Sequence, residues 1–180
     1  MRGMKRSVAL LLALAALAVP ATLVPAGDLQ RGFSFVRLGM TLDEAKDALR
    51  SDPHFRYRGE PDVQFLPLTE IPLIETAGRA FIDRAVLQFQ NDFLAVITLM
   101  LDRSRLDYFS VYESLVSRYG QPARLDPGQA VWEDGTTRIA LERPLSVKYM
   151  DVPALNAIIE AGRMEEALDE VTRERFLDQL

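Results

Sequence analysis

Residues 84–101 read RAVLQFQNDFLAVITLML. Over residues 84–90 polar and apolar side chains alternate, so that Leu87 and Phe89 fall on one face and Gln88 and Gln90 on the other, the period of a half-buried strand. Asn91-Asp92 follows, two residues that tolerate positive φ and suit the two-residue turn of a hairpin. Residues 93–101 form the return strand, apolar on both faces. Such a strand asks for cover on both sides. Either it is a central core strand flanked by helices, or its second face meets a partner or an apolar ligand.

On the N-terminal side of this hairpin, Thr41-Leu42-Asp43-Glu44 is a capping box, in which hydroxyl and carboxylate each satisfy an orphan amide of the first helical turn. Leu42, Ala45, Ala48 and Leu49 make one apolar stripe, opposite Asp43, Lys46, Asp47 and Arg50. Asp52-Pro53 ends the helix, because proline disfavours a helical residue before it. Residues 55–58 and 63–66 read as extended, with Pro61, Pro67 and Pro72 marking loops or sheet edges.

The same order recurs on the C-terminal side. Tyr108, Tyr112, Leu115 and Tyr119, with Val111 and Val116, form a helical face between Asp107 and the stop Gly120-Gln121-Pro122. Three short strands follow, over residues 130–133, 137–142 and 145–150, the first two joined through Asp134-Gly135. The tail is helical: Leu155, Ile158 and Ile159 form a stripe that stops at Gly162, and Met164, Ala167, Leu168 and Val171 begin another. Phe176, Leu177 and Leu180 lie on a different side, which implies either that the helix end bends over the body or that they dock on something else. The expected fold class is α+β: an antiparallel sheet covered on one face by helices, built as two tandem helix-plus-strands units over residues 27–151. Residues 152–180 are expected to form C-terminal helices packing on that domain.

The 180 residues are 48% hydrophobic and 26% charged, enough apolar content for one ordinary core. The chain has no cysteine, which removes disulfides, thiolate nucleophiles and sulfur-held zinc or iron–sulfur centres. His54 is its only histidine. Any Ser-His-Asp triad or imidazole metal site would have to be built on that residue, which its setting in Asp52-Pro53-His54-Phe55 marks instead as a partly exposed connecting residue. No metal and no cofactor are expected.

Arg2, Lys5 and Arg6 precede an unbroken apolar run over residues 8–19, with small-residue cleavage sites ending at Ala21 and Ala26. Residues 1–26 therefore read as a secretory signal peptide, placing the mature protein in the periplasm or outside the cell. The alternative is an inner-membrane anchor over the uncharged residues 7–27, close to the roughly 20 residues that cross a bilayer. With no cysteine beside either site, lipoprotein anchoring is excluded. Residues 1–26 hold three basic and no acidic side chains, so the remaining chain carries a net charge of −8. Such a balance opposes nucleic-acid binding, which draws its affinity from clustered Lys and Arg.

Gly39-Met40-Thr41 at the first helix start, Gly120-Gln121-Pro122 at the second helix end, and the Trp132-Glu133-Asp134-Gly135 hairpin together resemble the tandem helix-plus-sheet units of the SmpA/BamE outer-membrane-assembly proteins and the β-lactamase inhibitor proteins. The similarity covers about residues 33–151. It implies the tandem scaffold; function does not transfer with a fold. The lipidated cysteine of the assembly lipoproteins is missing.

Among catalytic signatures, G-x-S-x-G, G-x-G-x-x-G, the phosphate-binding Gly-Lys-Ser/Thr loop and H-E-x-x-H are all absent. Asp102 with Asp107, or Glu133 with Asp134, could serve as an acid and base pair, but each has a plainer role as a helix cap, turn residue or strand-end charge. The chain is therefore expected to be a non-enzymatic binding or adaptor domain of the cell envelope. Its predicted contact residues for another envelope protein are Gln88, Thr98, Arg138 and Lys148 on the outer sheet face, with Trp132 as a hot-spot aromatic. Arg56 and Arg58 form a possible patch for an anionic partner. An apolar-ligand or lipid-binding protein is the alternative, drawn from residues 93–101 and the unplaced Phe176, Leu177 and Leu180.

Overall fold

The computed structural model describes residues 28–65 and 72–177. The signal peptide or anchor, both cleavage sites, Leu66, Pro67 and Leu180 lie outside the described residues. A short hairpin, β1 (Gly32–Phe33) and β2 (Val36–Arg37), leads to α1 (Leu42–Ser51). The capping box forms as expected, with the Thr41 amide donating to Glu44 Oε2 at 2.8 Å and the Glu44 amide to Thr41 Oγ1 at 3.4 Å. The Gly39 amide donates to the Leu94 carbonyl and the Leu94 amide to the Met40 carbonyl, both at 2.8 Å. Gly39-Met40-Thr41 thereby ties the helix start to the central hairpin.

A single 3-10 turn (Glu60–Asp62) precedes four strands: β3 (Val63–Phe65), β4 (Pro72–Ala77), β5 (Ile82–Gln90) and β6 (Phe93–Leu101). The second unit follows as α2 (Tyr108–Tyr119), β7 (Arg124–Leu125), β8 (Gln129–Glu133), β9 (Thr137–Glu142) and β10 (Ser146–Asp151). Each unit is thus one helix and a four-strand meander. The two meanders join through their last strands, giving an eight-stranded antiparallel sheet in the order β3-β4-β5-β6-β10-β9-β8-β7. At the β5–β6 turn Asn91 and Asp92 both take positive φ, 49° and 68°, the geometry their small polar side chains allow.

The core lies on one face of this sheet. Leu87, Leu94, Ile97, Leu99, Ile139 and Leu141 are buried there beneath Ala45 and Leu49 of α1 and the half-buried Tyr112, Leu115 and Val116 of α2. Residues 93–101 keep their double-sided apolar character. Leu94, Ile97 and Leu99 enter this core, while Val96, Thr98 and Met100 point the other way. Ala95 is an extra residue between the Gln88–Val96 and Phe89–Leu94 pairs, a bulge that resets the alternation.

Three local expectations are corrected. Residues 55–58 are not a strand: Phe55 makes one isolated bridge to Gly78 and the next three residues are irregular. Strand β4 begins at Pro72, where a proline costs no ladder bond because it opens the strand. The tail is one helix, α3 (Val152–Leu177), that runs through Gly162 instead of breaking there, since one interior glycine costs only about 1 kcal/mol relative to alanine. It meets the sheet at the end of β10, burying Val152. Ile158, Ile159, Met164, Phe176 and Leu177 are exposed, so Phe176 and Leu177 do not bend back onto the body.

Candidate functional site

Two surfaces of the fold are candidates for a functional site, one on each side of the sheet. The first is the face turned away from α1 and α2. Gln88, Thr98, Lys148 and Arg138 lie on four adjacent strands, β5, β6, β10 and β9, and all point to this face. Lys148 sits directly opposite Thr98 on one side and Ala140 on the other, and Thr98 is opposite Val86. Thr98 is only 8% exposed, shielded by its neighbours within the sheet. Ion pairs cross the face: Arg84 Nη1–Glu75 Oε1 at 2.6 Å, Lys148 Nζ–Glu142 Oε2 at 2.8 Å, and Arg138 with Glu133. Half-exposed pairs of this kind contribute little stability, about 0–1 kcal/mol each. They leave the face electrically balanced, with Val86, Val96, Met100 and Met150 half-buried between them.

Trp132 does not belong to this face. It is 2% exposed, stands on the core side of β8, and donates its indole N–H to the Gly120 carbonyl at 2.8 Å, with the Tyr112 ring 6.1 Å away. Gly120, at φ 79°, ends α2 and turns that carbonyl toward the sheet. In the expected basic patch Arg58 pairs with the buried carboxylate of Asp62, at 2.6 Å from Nη2 and 2.8 Å from Nε, while its side chain stays exposed. Arg56 stands exposed beside it.

The carboxylate pairs act as structural acceptors. Asp102 accepts from the amide and hydroxyl of Ser104, and Asp107 caps α2 through the Ser110 amide at 2.9 Å. For Asp134, partial burial pushes the pKa up, but the amides of Thr136, Leu29 and Thr137 and the Thr136 hydroxyl outweigh it and bring it down to about 2. The hydrogen bonds from Ser104 and Ser110 likewise hold Asp102 and Asp107 below the ordinary carboxylate range. These shifts favour ionised acceptors, opposite in sign to those that prepare a general acid.

The second surface is a groove on the helix side, at the seam between the units. Eight strands at a spacing of about 4.8 Å span roughly 34 Å, whereas two helices of about 10 Å cover only part of that width. The uncovered middle becomes a cavity of about 530 Å³, with Leu99, Leu101, Val147 and Tyr149 in its floor. Val111 and Leu115 of α2 form one wall, and Phe33, His54 and Phe81 the other. Burial pushes the Tyr149 phenol well above its ordinary pKa, so it stays a neutral hydroxyl.

His54 is fixed at the edge of this groove. Its Nδ1 lies 2.9 Å from Oδ1 of the buried Asp52, and Phe33 packs edge-on against the ring at 5.1 Å. Burial raises the Asp52 pKa, but hydrogen bonds from His54, the Phe35 amide and Ser34 overcome it and leave the group below its ordinary value. Sequence alone placed His54 in a connection; only the fold shows which surface that connection borders.

No helix among the described residues is long and apolar enough to cross a membrane. The repeated unit, one helix followed by a four-strand meander, defines an α+β domain of tandem construction. The chain belongs to the TP0088 domain family, whose family model matches residues 31–161, from the start of β1 into α3. No curated protein and no solved structure matches the chain.

Proposed function

We propose that this protein is an exported, non-catalytic binding domain of the cell envelope that holds another envelope protein on the open face of its sheet. The observation that carries the reading is the convergence of Gln88, Thr98, Lys148 and Arg138 on one face that neither α1 nor α2 covers. A surface roughly 34 Å across, from the strand spacing, has room for a standard interface of about 800 Å² per partner. The balanced charges and half-buried Val and Met side chains suit a partner with alternating charge around apolar contacts. Export follows from the leader-like residues 1–26. The kinship of scaffold with SmpA/BamE and β-lactamase inhibitor proteins is part of the proposal, supported by the place of each motif: Gly39-Met40-Thr41 at the entry to α1 and Gly120-Gln121-Pro122 at the exit of α2.

In-cell crosslinking followed by pull-down from the envelope fraction tests this. One specific envelope protein is expected to be captured, and charge reversal by Lys148→Glu or Arg138→Glu is expected to reduce its yield several-fold, with folding checked by circular dichroism. Gln88→Arg, which disturbs no ion pair, is expected to do the same. Unchanged capture in all three variants refutes this face as the contact surface.

A further inference from the structure

The groove at the seam is a candidate site separate from the open sheet face. None of its lining residues is acidic, although the chain has 26 Asp and Glu and a net charge of −5. Its cations are Arg79, from the loop between β4 and β5, and Arg118, from the last turn of α2. Neither makes a salt bridge among the described residues. Arg79 donates through Nε to the Phe55 carbonyl at 2.9 Å, and Arg118 through Nη1 to Gln30 Oε1 at 3.2 Å. Each guanidinium has five N–H donors, so both are held in place with most of their donors uncommitted. The imidazole of His54 completes the polar rim, its Nδ1 side engaged by Asp52 and its side chain 46% exposed.

The floor is apolar, from Leu99, Leu101 and Val147 with the Tyr149 ring, and on the α2 wall Val111 and Leu115 stand beside Ser110 and Ser114. A volume of about 530 Å³ lies within the roughly 300–1,000 Å³ of pockets that hold small ligands. We infer that this groove binds an amphiphile with an alkyl chain and a single anionic head, a carboxylate or a phosphate monoester. The chain lies on the Leu99–Val147 floor and the head at the Arg79–Arg118 rim. Guanidinium groups recognise such heads through charge-assisted and often paired hydrogen bonds, and the missing carboxylates remove the repulsion that an acidic protein would otherwise present.

Isothermal titration calorimetry on the protein as isolated from the envelope, with monomeric dodecanoate, dodecyl phosphate, dodecanol and dodecyltrimethylammonium, tests this. Saturable one-to-one binding of an anion is expected, with the alcohol and the cation weaker by about tenfold or more, a difference of about 1.4 kcal/mol. The tighter of dodecanoate and dodecyl phosphate identifies the head group. The exposed double variant Arg79→Gln/Arg118→Gln is expected to remove the preference for the anion while leaving dodecanol affinity in place, which also reports that the groove is intact. Equal binding of all four probes, a preference that survives the double variant, or no saturable binding overturns the inference.

Discussion

At the scale of single residues, several aromatic and charged candidates have structural partners within the fold. Trp132 uses its indole N–H to clamp the end of α2 to β8, and Arg58 neutralises the buried Asp62. Asp134 is the clearest case. Its two carboxylate oxygens collect the amides of Thr136 and Thr137 at 2.7 Å and that of Leu29 at 2.9 Å, joining the β8–β9 turn to a segment 105 residues away. Because its pKa is depressed in the folded chain, from 3.8 to about 2, the ionised form is favoured by folding. Its contribution is fully present above the unfolded value and is lost as pH falls from about 4 through about 2. The Asp134→Asn variant is therefore expected to be less stable than the parent at neutral pH, and its thermal midpoint should fall less steeply between pH 4 and 2. Parallel slopes for the two proteins would show that another group controls acid sensitivity there.

Among the elements, α1 and α2 are explained by their amphipathic stripes and caps, but α3 is not. A helix of 26 residues extends about 39 Å at 1.5 Å per residue; among its described side chains the buried and half-buried ones lie at its start, at Val152, Ala154 and Leu155, while Ile158, Ile159 and Phe176 are exposed. For its exposed residues, helix stability rests on local propensity. Gly162 lies in its middle with open space where a Cβ would stand. Gly162→Ala is accordingly expected to add about 1 kcal/mol of local helix stability, read as a stronger far-UV helical signal on warming. No change in that signal would mean that contacts outside the chain already hold the helix. Glycine alone is a weak local preference against helix; Gly120 ends α2 because it takes φ 79° and its amide closes on the Val116 carbonyl, and Gly162 is not among the positive-φ glycines.

For the molecule as a whole, the eight-stranded sheet separates two surfaces, a balanced and open face on one side and a cationic apolar groove on the other. Distant sites with no shared partners behave almost independently. The double variant Arg79→Gln/Arg118→Gln should thus leave crosslinking through the open face unchanged, and Lys148→Glu should leave dodecanoate affinity within about twofold. Cross-effects larger than that in both assays would show that the sheet couples its two faces. The α+β class, the tandem order, the capping box, the Asn91-Asp92 turn and the shared face of Gln88, Thr98, Arg138 and Lys148 were all legible in the chain, because period-two and period-3.6 patterns and turn chemistry act over a few residues. The joining of the meanders through β6 and β10, the burial of Trp132 and the seam groove were decided only by tertiary structure. Each depends on residues far apart in sequence: Trp132 on where α2 ends, and the groove on how much of a wide sheet two helices can cover. Local pattern states which side of a strand is apolar, but what finally lies over it is settled by the packing of the remaining chain.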